Sequence, residues 1–390
     1  MRLSLGFSGA TRCPFPGNRA HGSAEATKSG LTTWQPVGAF LTPTAIFAIL
    51  LALHVVLPAQ RVAGYERVTS SRYRLNGLAV FVCAIVIWWS ELTLAPLGWL
   101  WLAKLRALDG AVALSAVITA RMVGRAPADH RSLLVQWIEG RSRNLQFRRD
   151  VDAKMFMYVF GGTFLALNAV SSAAYHYSQY GQAANVGLFL HSAMWVWFVA
   201  DYFCFERVQL FTFDIIEERV GFKLIVGCIA VYPCLYPIAL WGTADLARPD
   251  IDPSWDPLWL GGSAAVFLLG WVITRGANLQ KYVFKRFPER PFLRLVRPVS
   301  ITDGERKILC SGFWGAARHM NYTGEILEAL GMSLALGHFT NAWAWVYFVY
   351  LTIFFVIRER IDDGRCAGKY EELWAQYRGK VRYRLVPGIY

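Results

Sequence analysis

Apolar stretches long enough to cross a lipid bilayer recur along the chain from Val37 onward, and polar stretches separate them. A helix that spans the hydrocarbon core needs about 17 to 25 mainly apolar residues. The stretches that approach or reach this length are 38–57, 76–98, 106–123, 155–174, 184–204, 223–243, 257–275, 325–338 and 341–358. The pattern predicts an all-α, polytopic transmembrane bundle with about nine or ten membrane helices. The tenth would lie within 76–123, where Pro and Gly interrupt the apolar run.

The chain divides into an N-terminal tail and one membrane domain. Residues 1–36 are rich in Ser, Gly, Ala and Arg and contain a single acidic residue, a composition typical of a disordered segment. No apolar core with a small-residue cleavage site occurs there, so no signal peptide is predicted. We therefore expect a disordered tail at 1–36 and a single transmembrane domain at 37–390.

The charge distribution predicts how the domain is oriented in the membrane. Only 17% of the residues are charged, and the formal net charge of +13 is by itself compatible with nucleic-acid binding. The cations instead concentrate in 121–154 and 275–320, whereas 243–257 carries four aspartates. Because cytoplasmic loops are enriched in Lys and Arg, both basic segments and the C-terminus are expected to be cytoplasmic, with no nucleic-acid partner. The excess of Arg over Lys favours a bacterial inner membrane over the endoplasmic reticulum.

Motifs of soluble cofactor sites and of metal sites are missing from the sequence. The seven cysteines are scattered and form no C-x-x-C pair, so neither a disulfide framework nor a metal site is predicted. No G-x-G-x-x-G or Walker A loop occurs either. A bound nucleotide would therefore have to be held by cationic and aromatic side chains on helices.

Two C-terminal segments carry most of the candidate chemistry. Residues 311–322 read SGFWGAARHMNY and combine small, aromatic, cationic and amide side chains between two apolar stretches. The tail from residue 358 begins where a membrane helix ends, and its charges recur at helical spacing. Charges at this depth are costly and usually functional. The candidate cofactor residues of these segments are Trp314, Arg318, His319, Asn321, Tyr322, Arg358, Asp362, Lys369 and Tyr377.

The end of the seventh apolar stretch adds cations on the same predicted side of the membrane. Asn278, Lys281 and Lys285 share one face of a helix, where they can meet the phosphates of a dinucleotide. The simpler interpretation is the ordinary basic anchor of a membrane helix. An interfacial aromatic belt is the corresponding alternative for Trp314. The cofactor site is thus predicted within residues 270–390.

A few polar groups fall inside or beside the apolar stretches, and these are candidates for a substrate site. Asp201, Glu206 and Tyr232 lie there, and Tyr236 lies between two prolines. Proline disturbs helical hydrogen bonding and can redirect neighbouring side chains. The alternative for each tyrosine is a packed aromatic ring with one hydrogen bond.

Several longer motifs support one family. The C-terminal motifs are SGFWGAARHMNYTGEILEAL, RERIDDGRCAGKYEELWAQY and VRYRLVPGIY, and the weaker ones are RGANLQKYVFK, DYFCFE, GFKLIVGCIAVYPCLY and YRLNGL. Together they resemble the sterol reductase family, which includes the delta-14, delta-7 and delta-24(28) sterol reductases and the sterol-reductase-like part of the lamin B receptor. The resemblance covers residues 38–390 and is strongest after residue 270. The runs SGFWGAARH and RCAGKY are slightly closer to delta-7 than to delta-14 enzymes.

The resemblance implies a helical membrane enzyme that reduces a carbon–carbon double bond of a sterol, or of a related polycyclic isoprenoid, with NADPH. The family's proton donor corresponds to Tyr236, and its catalytic tail acid corresponds to Asp362. Asp201, Glu206 and Tyr232 would lie in the substrate pocket. With Arg318 and Tyr322 from the same segment, the expected cofactor contacts are Asn278, Lys281, Lys285, Trp314, His319, Asn321, Arg358, Asp362, Lys369 and Tyr377.

The sequence departs from the family mainly in the substrate half. Cys228 stands where the family usually has Asp, and Phe205 stands where Asn is usual, so the resemblance leaves the identity of the sterol open. Two alternatives remain: a membrane methyltransferase of the isoprenylcysteine or phospholipid type, whose tail has a similar R-H-x-x-Y pattern, and a non-catalytic sterol-binding homologue. The upstream RGANLQK motif favours the reductase, and the retention of Tyr236 favours catalysis.

Overall fold

The chain folds into a bundle of α-helices, with short antiparallel β-hairpins in the loops. The computed structural model describes residues 21–63, 72–91, 98–148 and 150–390. Its helices are α1 (His21–Val56), α2 (Gly77–Glu91), α3 (Trp99–Leu102), α4 (Lys104–Arg125), α5 (Leu133–Glu139), α6 (Ala153–Tyr180), α7 (Val186–Cys204), α8 (Glu206–Gln209), α9 (Phe213–Ile216), α10 (Phe222–Val226), α11 (Ile238–Trp241), α12 (Asp256–Arg286), α13 (Phe313–Ala316), α14 (Met320–Ala335), α15 (Ala342–Tyr370) and α16 (Glu372–Lys380). The paired strands are β1 (Gln60–Ala63) with β2 (Arg72–Leu75), β3 (Gln146–Arg148) with β4 (Val151–Asp152), and β5 (Ser300–Thr302) with β6 (Lys307–Leu309).

Long apolar helices dominate the described part of the chain. Six of them have the length and composition needed to cross a membrane: Val37–Val56, Lys104–Arg125, Ala153–Ala183, Val186–Cys204, Pro253–Arg286 and Ala342–Tyr370. Two shorter apolar helices are Gly77–Ser90 and Phe222–Leu235. The prediction of an all-α, polytopic membrane protein is therefore confirmed.

The three other predicted membrane stretches form helices that are shorter or less regular than the apolar runs. The first, 76–98, gives α2, which ends at Glu91, and 325–338 gives α14, which has 16 residues. The third, 223–243, is divided into α10, a π-helical segment at Gly227–Leu235 and α11. Proline lacks the N–H that a regular α-helix needs, and Pro233 lies inside the π-helical segment.

Two predictions fall at least partly outside the described residues. The disordered tail was predicted for 1–36; residues 1–20 lie outside the described ranges, and α1 begins at His21. The tenth membrane helix was predicted within 76–123, a stretch that includes the undescribed residues 92–97. Both therefore stay predictions.

The central helix of the bundle is α6. Within its most apolar stretch 89% of the residues are buried, compared with 22% in α12. It packs against α1, α2, α3, α7 and the π-helical segment. The ring of Phe47 on α1 lies 5.1 Å from that of Phe156 and 5.4 Å from that of Phe160, measured between centroids. This buried helix supplies one wall of the candidate site.

Helices α12 and α14 pack closely through glycines. A Cβ atom at Gly324 would lie 2.5 Å from the Thr274 nitrogen and 2.6 Å from the Gly270 oxygen. A Cβ atom at Gly331 would lie 2.6 Å from the Phe267 nitrogen. Small residues allow such backbone approach, which is a main route to helix association in membranes. The packing holds the start of α14 beside Gly270 and Thr274 in the middle of α12.

The C-terminal segment 381–390 crosses the start of α14 and the end of α15. The His319 N–H donates to the Arg384 carbonyl at 3.0 Å. Glu359 of α15 is fully buried, and its Oε1 accepts a hydrogen bond from the Tyr390 hydroxyl at 2.8 Å. The segment therefore ties together the two predicted cofactor-binding stretches.

Candidate functional site

Asp362 lies in a polar network that connects α14, α15, α9 and α6. The Tyr322 hydroxyl donates to Asp362 Oδ2 at 2.6 Å, and Arg358 Nε donates to the same oxygen at 3.3 Å. Arg358 Nη2 also donates to Asp214 Oδ1 at 3.2 Å, and the Tyr158 hydroxyl donates to Asp214 Oδ2 at 3.4 Å. The network therefore runs from the charged end of α15 to the central helix.

An aromatic stack lies beside this network at the start of α14. The rings of His319 and Tyr322 are nearly parallel, with centroids 5.1 Å apart and an interplanar angle of 3°. Tyr322 in turn stacks on Phe355 of α15, with centroids 4.5 Å apart. The stack positions the Tyr322 ring, whose hydroxyl donates to Asp362.

The imidazole of His319 is neutral at physiological pH. Its pKa is lowered from 6.5 to about 4, chiefly because burial disfavours the charged ring, although Asp362 and Glu359 act in the opposite direction. Its Nε2 atom is buried and has no hydrogen-bond partner among the described residues. A neutral imidazole offers one donor and one acceptor nitrogen, so His319 can recognise a polar ligand without adding charge.

Trp314 forms the centre of a second contact group, which joins α12, α13 and α16. Lys281 Nζ lies 4.9 Å from the Trp314 ring centroid. The indole N–H donates to the Ala277 carbonyl at 2.8 Å, and the Tyr377 hydroxyl donates to the Trp314 carbonyl at 2.8 Å. Tyr377 is only 2% exposed. Tyr377 therefore holds the Trp314 backbone on the buried side, whereas Lys281 is exposed and Trp314 is half-buried.

Three lysines near the C-terminal ends of α12 and α15 form a strongly cationic surface, which we call the cationic edge. Lys281, Lys285 and Lys369 lie within electrostatic reach of one another. Asn278 lies half-buried on the same helix as the first two. Asn321 is also half-buried, and its buried Oδ1 has no hydrogen-bond partner in the described part of the chain. Cations next to unsatisfied polar atoms suit a ligand that carries phosphates and hydrogen-bonding groups.

Deeper in the bundle lie half-buried ionisable side chains that have dense protein around them: Tyr158, Tyr202, Tyr232, Tyr236 and Glu325. Accessible surface at this depth implies unfilled space beside these side chains, and we refer to that inferred space as the cavity. The Tyr158 and Tyr202 rings lie 5.5 Å apart, and Tyr158 lies within electrostatic reach of Tyr236. The Asp362 network therefore reaches the cavity through Tyr158.

Tyr236 follows the π-helical segment directly. Its ring meets that of Tyr232 edge to face at 5.0 Å and that of Tyr347 at 5.3 Å. The carbonyl of Pro233 accepts a hydrogen bond from Asn168 Nδ2 of α6 at 2.9 Å, so the irregular turn is satisfied by the central helix. Wide turns of this kind often occur at functional sites, and here they direct two tyrosines into one cavity.

Arg318 and Asp201, both predicted site residues, form ion pairs away from the network. Arg318 Nη1 donates to Asp363 Oδ1 at 2.8 Å, and this side chain is buried beside α16. Asp201 pairs with Arg275 of α12, whose guanidinium carbon lies 4.4 Å from the Phe205 ring centroid. The structure thus joins α7 to α12 through Asp201. Helical spacing alone does not reveal which partner a charge will meet.

Glu206, the remaining predicted pocket residue, binds the start of α2. Its Oε2 accepts a hydrogen bond from the Gly77 N–H at 3.0 Å, and its Oε1 has no partner among the residues described. Burial raises the pKa of Glu206 from 4.5 to about 7, although the Gly77 N–H favours the charged form. The side chain therefore connects α8 with α2.

Two residues of the candidate site were not among the predicted site residues. Gln280 is buried, accepts from the Phe313 N–H at 3.0 Å and donates to the Ser311 carbonyl at 3.1 Å. It fixes the turn that presents Trp314, and its place beside Lys281 was the only signal. Glu325 faces the cavity, and a carboxylate inside an apolar stretch was an available signal.

Comparison with known proteins gives the family. The model of the ergosterol biosynthesis ERG4/ERG24 family matches residues 28–390. A delta(14)-sterol reductase from Arabidopsis thaliana is 31% identical over 88% of this chain and 94% of its own length. A delta(14)-sterol reductase from Methylotuvimicrobium alcaliphilum is 31% identical over 92% and 84%, and a 7-dehydrocholesterol reductase from Xenopus laevis is 29% identical over 93% and 82%. The chain belongs to the ergosterol biosynthesis ERG4/ERG24 family of sterol reductases.

Proposed function

We propose that this chain reduces a carbon–carbon double bond in a sterol or a related polycyclic isoprenoid, with NADPH as the reductant. Relatives named for delta(14) reduction and for 7-dehydrocholesterol reduction match at comparable identity. The proposal therefore covers a ring double bond at the delta-14 or the delta-7 position. One observation carries it: the Asp362 network joins a cationic, aromatic edge to a tyrosine-lined cavity.

The lysines and the polar and aromatic residues around Trp314 fit a phosphorylated dinucleotide. Lysines give phosphates charge-assisted hydrogen bonds, and the Trp314 face can stack on a planar ring. The unpartnered His319 Nε2 and Asn321 Oδ1, both noted among the described residues, would be satisfied by polar atoms of such a ligand. The residues that we propose hold it are Asn278, Lys281, Lys285, Trp314, His319, Asn321, Tyr322, Arg358, Asp362 and Lys369.

Reduction of an isolated double bond needs a proton at one carbon and a hydride at the other. The reduced nicotinamide supplies the hydride when it is bound. A phenol keeps its proton at neutral pH and can donate it as a general acid. We assign that role to Tyr236, because its side chain faces the cavity among other aromatic rings. We also propose a catalytic role for Asp362, which accepts hydrogen bonds from Tyr322 and Arg358 in the network that leads to the cavity.

Two other ionisable groups on the cavity wall can take part in proton transfer. Tyr158 and Glu325 lie within electrostatic reach of Tyr236. They offer the Tyr236 phenolate a route by which a proton can return after each turnover. The aromatic lining keeps bulk water away from the charge that develops on the protonated substrate.

The outer surface supports entry of the substrate from the bilayer. The Tyr236 ring lies 6.2 Å from that of Tyr350, measured between centroids. Tyr350 is 43% exposed on the apolar span of α15. The wall of the cavity therefore comes close to the lipid-facing surface, and a flat apolar molecule needs no path through water.

The family match supports the reductase over the methyltransferase alternative, because it extends over the N-terminal half as well as the tail. The non-catalytic alternative is addressed by experiment. Purified protein is reconstituted with NADPH and a panel of delta-7 and delta-14 unsaturated sterols, and the products are identified by mass. A mass gain of two hydrogens on one substrate is the expected result.

Tyr236→Phe tests the proton donor. We expect the variant to bind NADPH with unchanged affinity and to lose turnover by roughly 100-fold or more, the usual size of a general-acid contribution. Tyr350→Phe, the same change on a neighbouring ring, is the matched control and should retain turnover. Full activity of Tyr236→Phe would remove Tyr236 as the acid, whereas absence of reduction by the unmodified chain would overturn the proposed function itself.

A further inference from the structure

A pocket on the C-terminal helix has no role in the proposed reaction. It has a volume of 410 Å³ and is lined by Arg318, Ala375, Arg378, Gly379 and Arg382. Pockets that bind small ligands span roughly 300 to 1,000 Å³, so this one has room for a head group or a small organic anion. It involves α16 and the segment that follows.

The pocket lies on a different face of α16 from Tyr377, which contacts Trp314. Trp374 and Tyr377 are buried, and Tyr377 bonds the Trp314 carbonyl. Ala375, Arg378 and Gly379 are exposed, as expected for positions that fall on another face at 3.6 residues per turn. The pocket is therefore distinct from the edge formed by Lys281 and Trp314.

The charges around the pocket are positive. Residues 375–384 contain three arginines and one lysine and no carboxylate. Asp363 is nearby, but it already accepts hydrogen bonds from Arg318 Nη1 and from Trp374 Nε1. Glu359 is likewise occupied by the tail. Arg318 is thus paired with Asp363, whereas Arg378 and Arg382 have no acidic partner in the part of the chain that is described.

Arg318 gives a second observation in favour of a ligand. The residue is 5% exposed, and its Nε atom is buried with no hydrogen-bond partner within the described ranges. An unsatisfied polar atom in a buried guanidinium costs free energy. Arginine is also preferred where phosphate is recognised by a planar pair of donors, and the small side chains of Ala375 and Gly379 leave space between the arginines.

We propose that this pocket binds the phosphate group of an anionic ligand. A phosphate can come from the head group of an anionic phospholipid at the membrane surface or from a soluble phosphate compound. The shared chemistry is a tetrahedral anion held by Arg318, Arg378 and Arg382. The pocket is thereby a second anion site, separate from the one proposed for the dinucleotide.

The experiment uses the full chain in phosphatidylcholine nanodiscs. One arm adds inorganic pyrophosphate to the solution, and the other adds phosphatidic acid to the bilayer; the thermal unfolding midpoint is measured in both. A ligand that binds only the folded protein raises the midpoint. A rise in the lipid arm alone assigns a head group, and a rise in the pyrophosphate arm assigns a soluble phosphate.

Variants separate the pocket from general surface charge. Arg378→Gln with Arg382→Gln should weaken the apparent affinity about tenfold or more, since two charge-assisted contacts are lost. Arg121→Gln with Arg125→Gln removes the same charge from exposed positions on α4 and should leave the affinity unchanged. Ala375→Glu, which places a carboxylate in the pocket and keeps every arginine, should abolish the effect. Equal midpoint rises in all of these proteins, or no rise in either arm for the unmodified chain, would overturn the proposal.

Discussion

At the scale of residues, two neighbouring carboxylates have different surroundings. Asp362 accepts from Tyr322 and Arg358 in the network that reaches the cavity, whereas Asp363 accepts from Arg318 beside α16. Consecutive residues of a helix point about 100° apart, so one position decides between the two environments. The proposed roles of the two carboxylates therefore differ.

Asp362→Asn and Asp363→Asn should therefore have different effects. The first removes a charged acceptor from the proposed cofactor site, and we expect the NADPH dissociation constant to rise about tenfold or more. The second leaves the buried Arg318 without its anion, and we expect a destabilisation of about 3 kcal/mol with cofactor affinity kept. Isothermal titration with NADPH and thermal unfolding measure the two quantities. Identical changes for both variants would contradict the separation of roles.

Glu206 gives the protein a pH-dependent stability. Its pKa is raised to about 7 by burial, so the folded state keeps the proton where the unfolded state has lost it. The stabilisation is complete below pH 4.5 and is lost as the pH rises through about 7, a change of about 3 kcal/mol. We expect Glu206→Gln, which is neutral at every pH, to flatten this fall in the thermal midpoint between pH 5 and 8. Glu305→Gln, at an exposed loop position, is the control and should keep the slope of the unmodified chain.

At the scale of elements, α14 packs against α12 on one face and presents polar side chains on another. Gly324 and Gly331 are seven residues apart and lie against α12, while Tyr322 and Glu325 face the network and the cavity. The close packing brings the polar face of α14 to a fixed depth relative to the lysines of α12. A shift between these helices would separate the two halves of the proposed site.

Gly324→Ala tests this packing. The added Cβ would meet backbone atoms of α12 that cannot move without moving the helix, and we expect a destabilisation of about 1–3 kcal/mol. Gly262→Ala adds the same methyl group to α12 where nothing lies within 4 Å, and it should leave the thermal midpoint unchanged or slightly raised. Equal midpoints for the two variants would show that the close approach contributes nothing to stability.

At the scale of the whole molecule, charge separates the two ends of the bundle. The segment after α12 is rich in Arg and Lys, whereas the loop before α12 carries aspartates. A basic segment stays on the cytoplasmic side of a membrane. The proposed dinucleotide edge, at the C-terminal end of α12, would then face the compartment in which reduced cofactor is made.

Site-directed labelling measures this orientation. Asp250→Cys and Glu289→Cys lie at opposite ends of α12, and both positions are exposed. We expect a membrane-impermeant maleimide to label the first variant in intact cells and the second only after permeabilisation. The unmodified chain gives the background from its own cysteines. Labelling of Glu289→Cys in intact cells would show that the protein has the opposite orientation.

The sequence by itself determined the all-α membrane class and the positions of the long helices, because apolar length is a local property that the bilayer requires. It also determined the family, because the C-terminal motifs are contiguous. From the sequence, segment 311–322 and Asp362 were predicted to form a cofactor site without any knowledge of their contacts.

Only the tertiary structure decided which charges meet. It paired Asp201 with Arg275 and turned Arg318 toward Asp363, and it brought Tyr158 from the central helix to Asp214. It also showed where the predicted stretch 223–243 departs from a regular helix, through the wide turns around Pro233. These contacts join residues far apart in sequence, so their energies depend on helix packing and on burial. The spacing of residues along the sequence gives no information on helix packing or on burial.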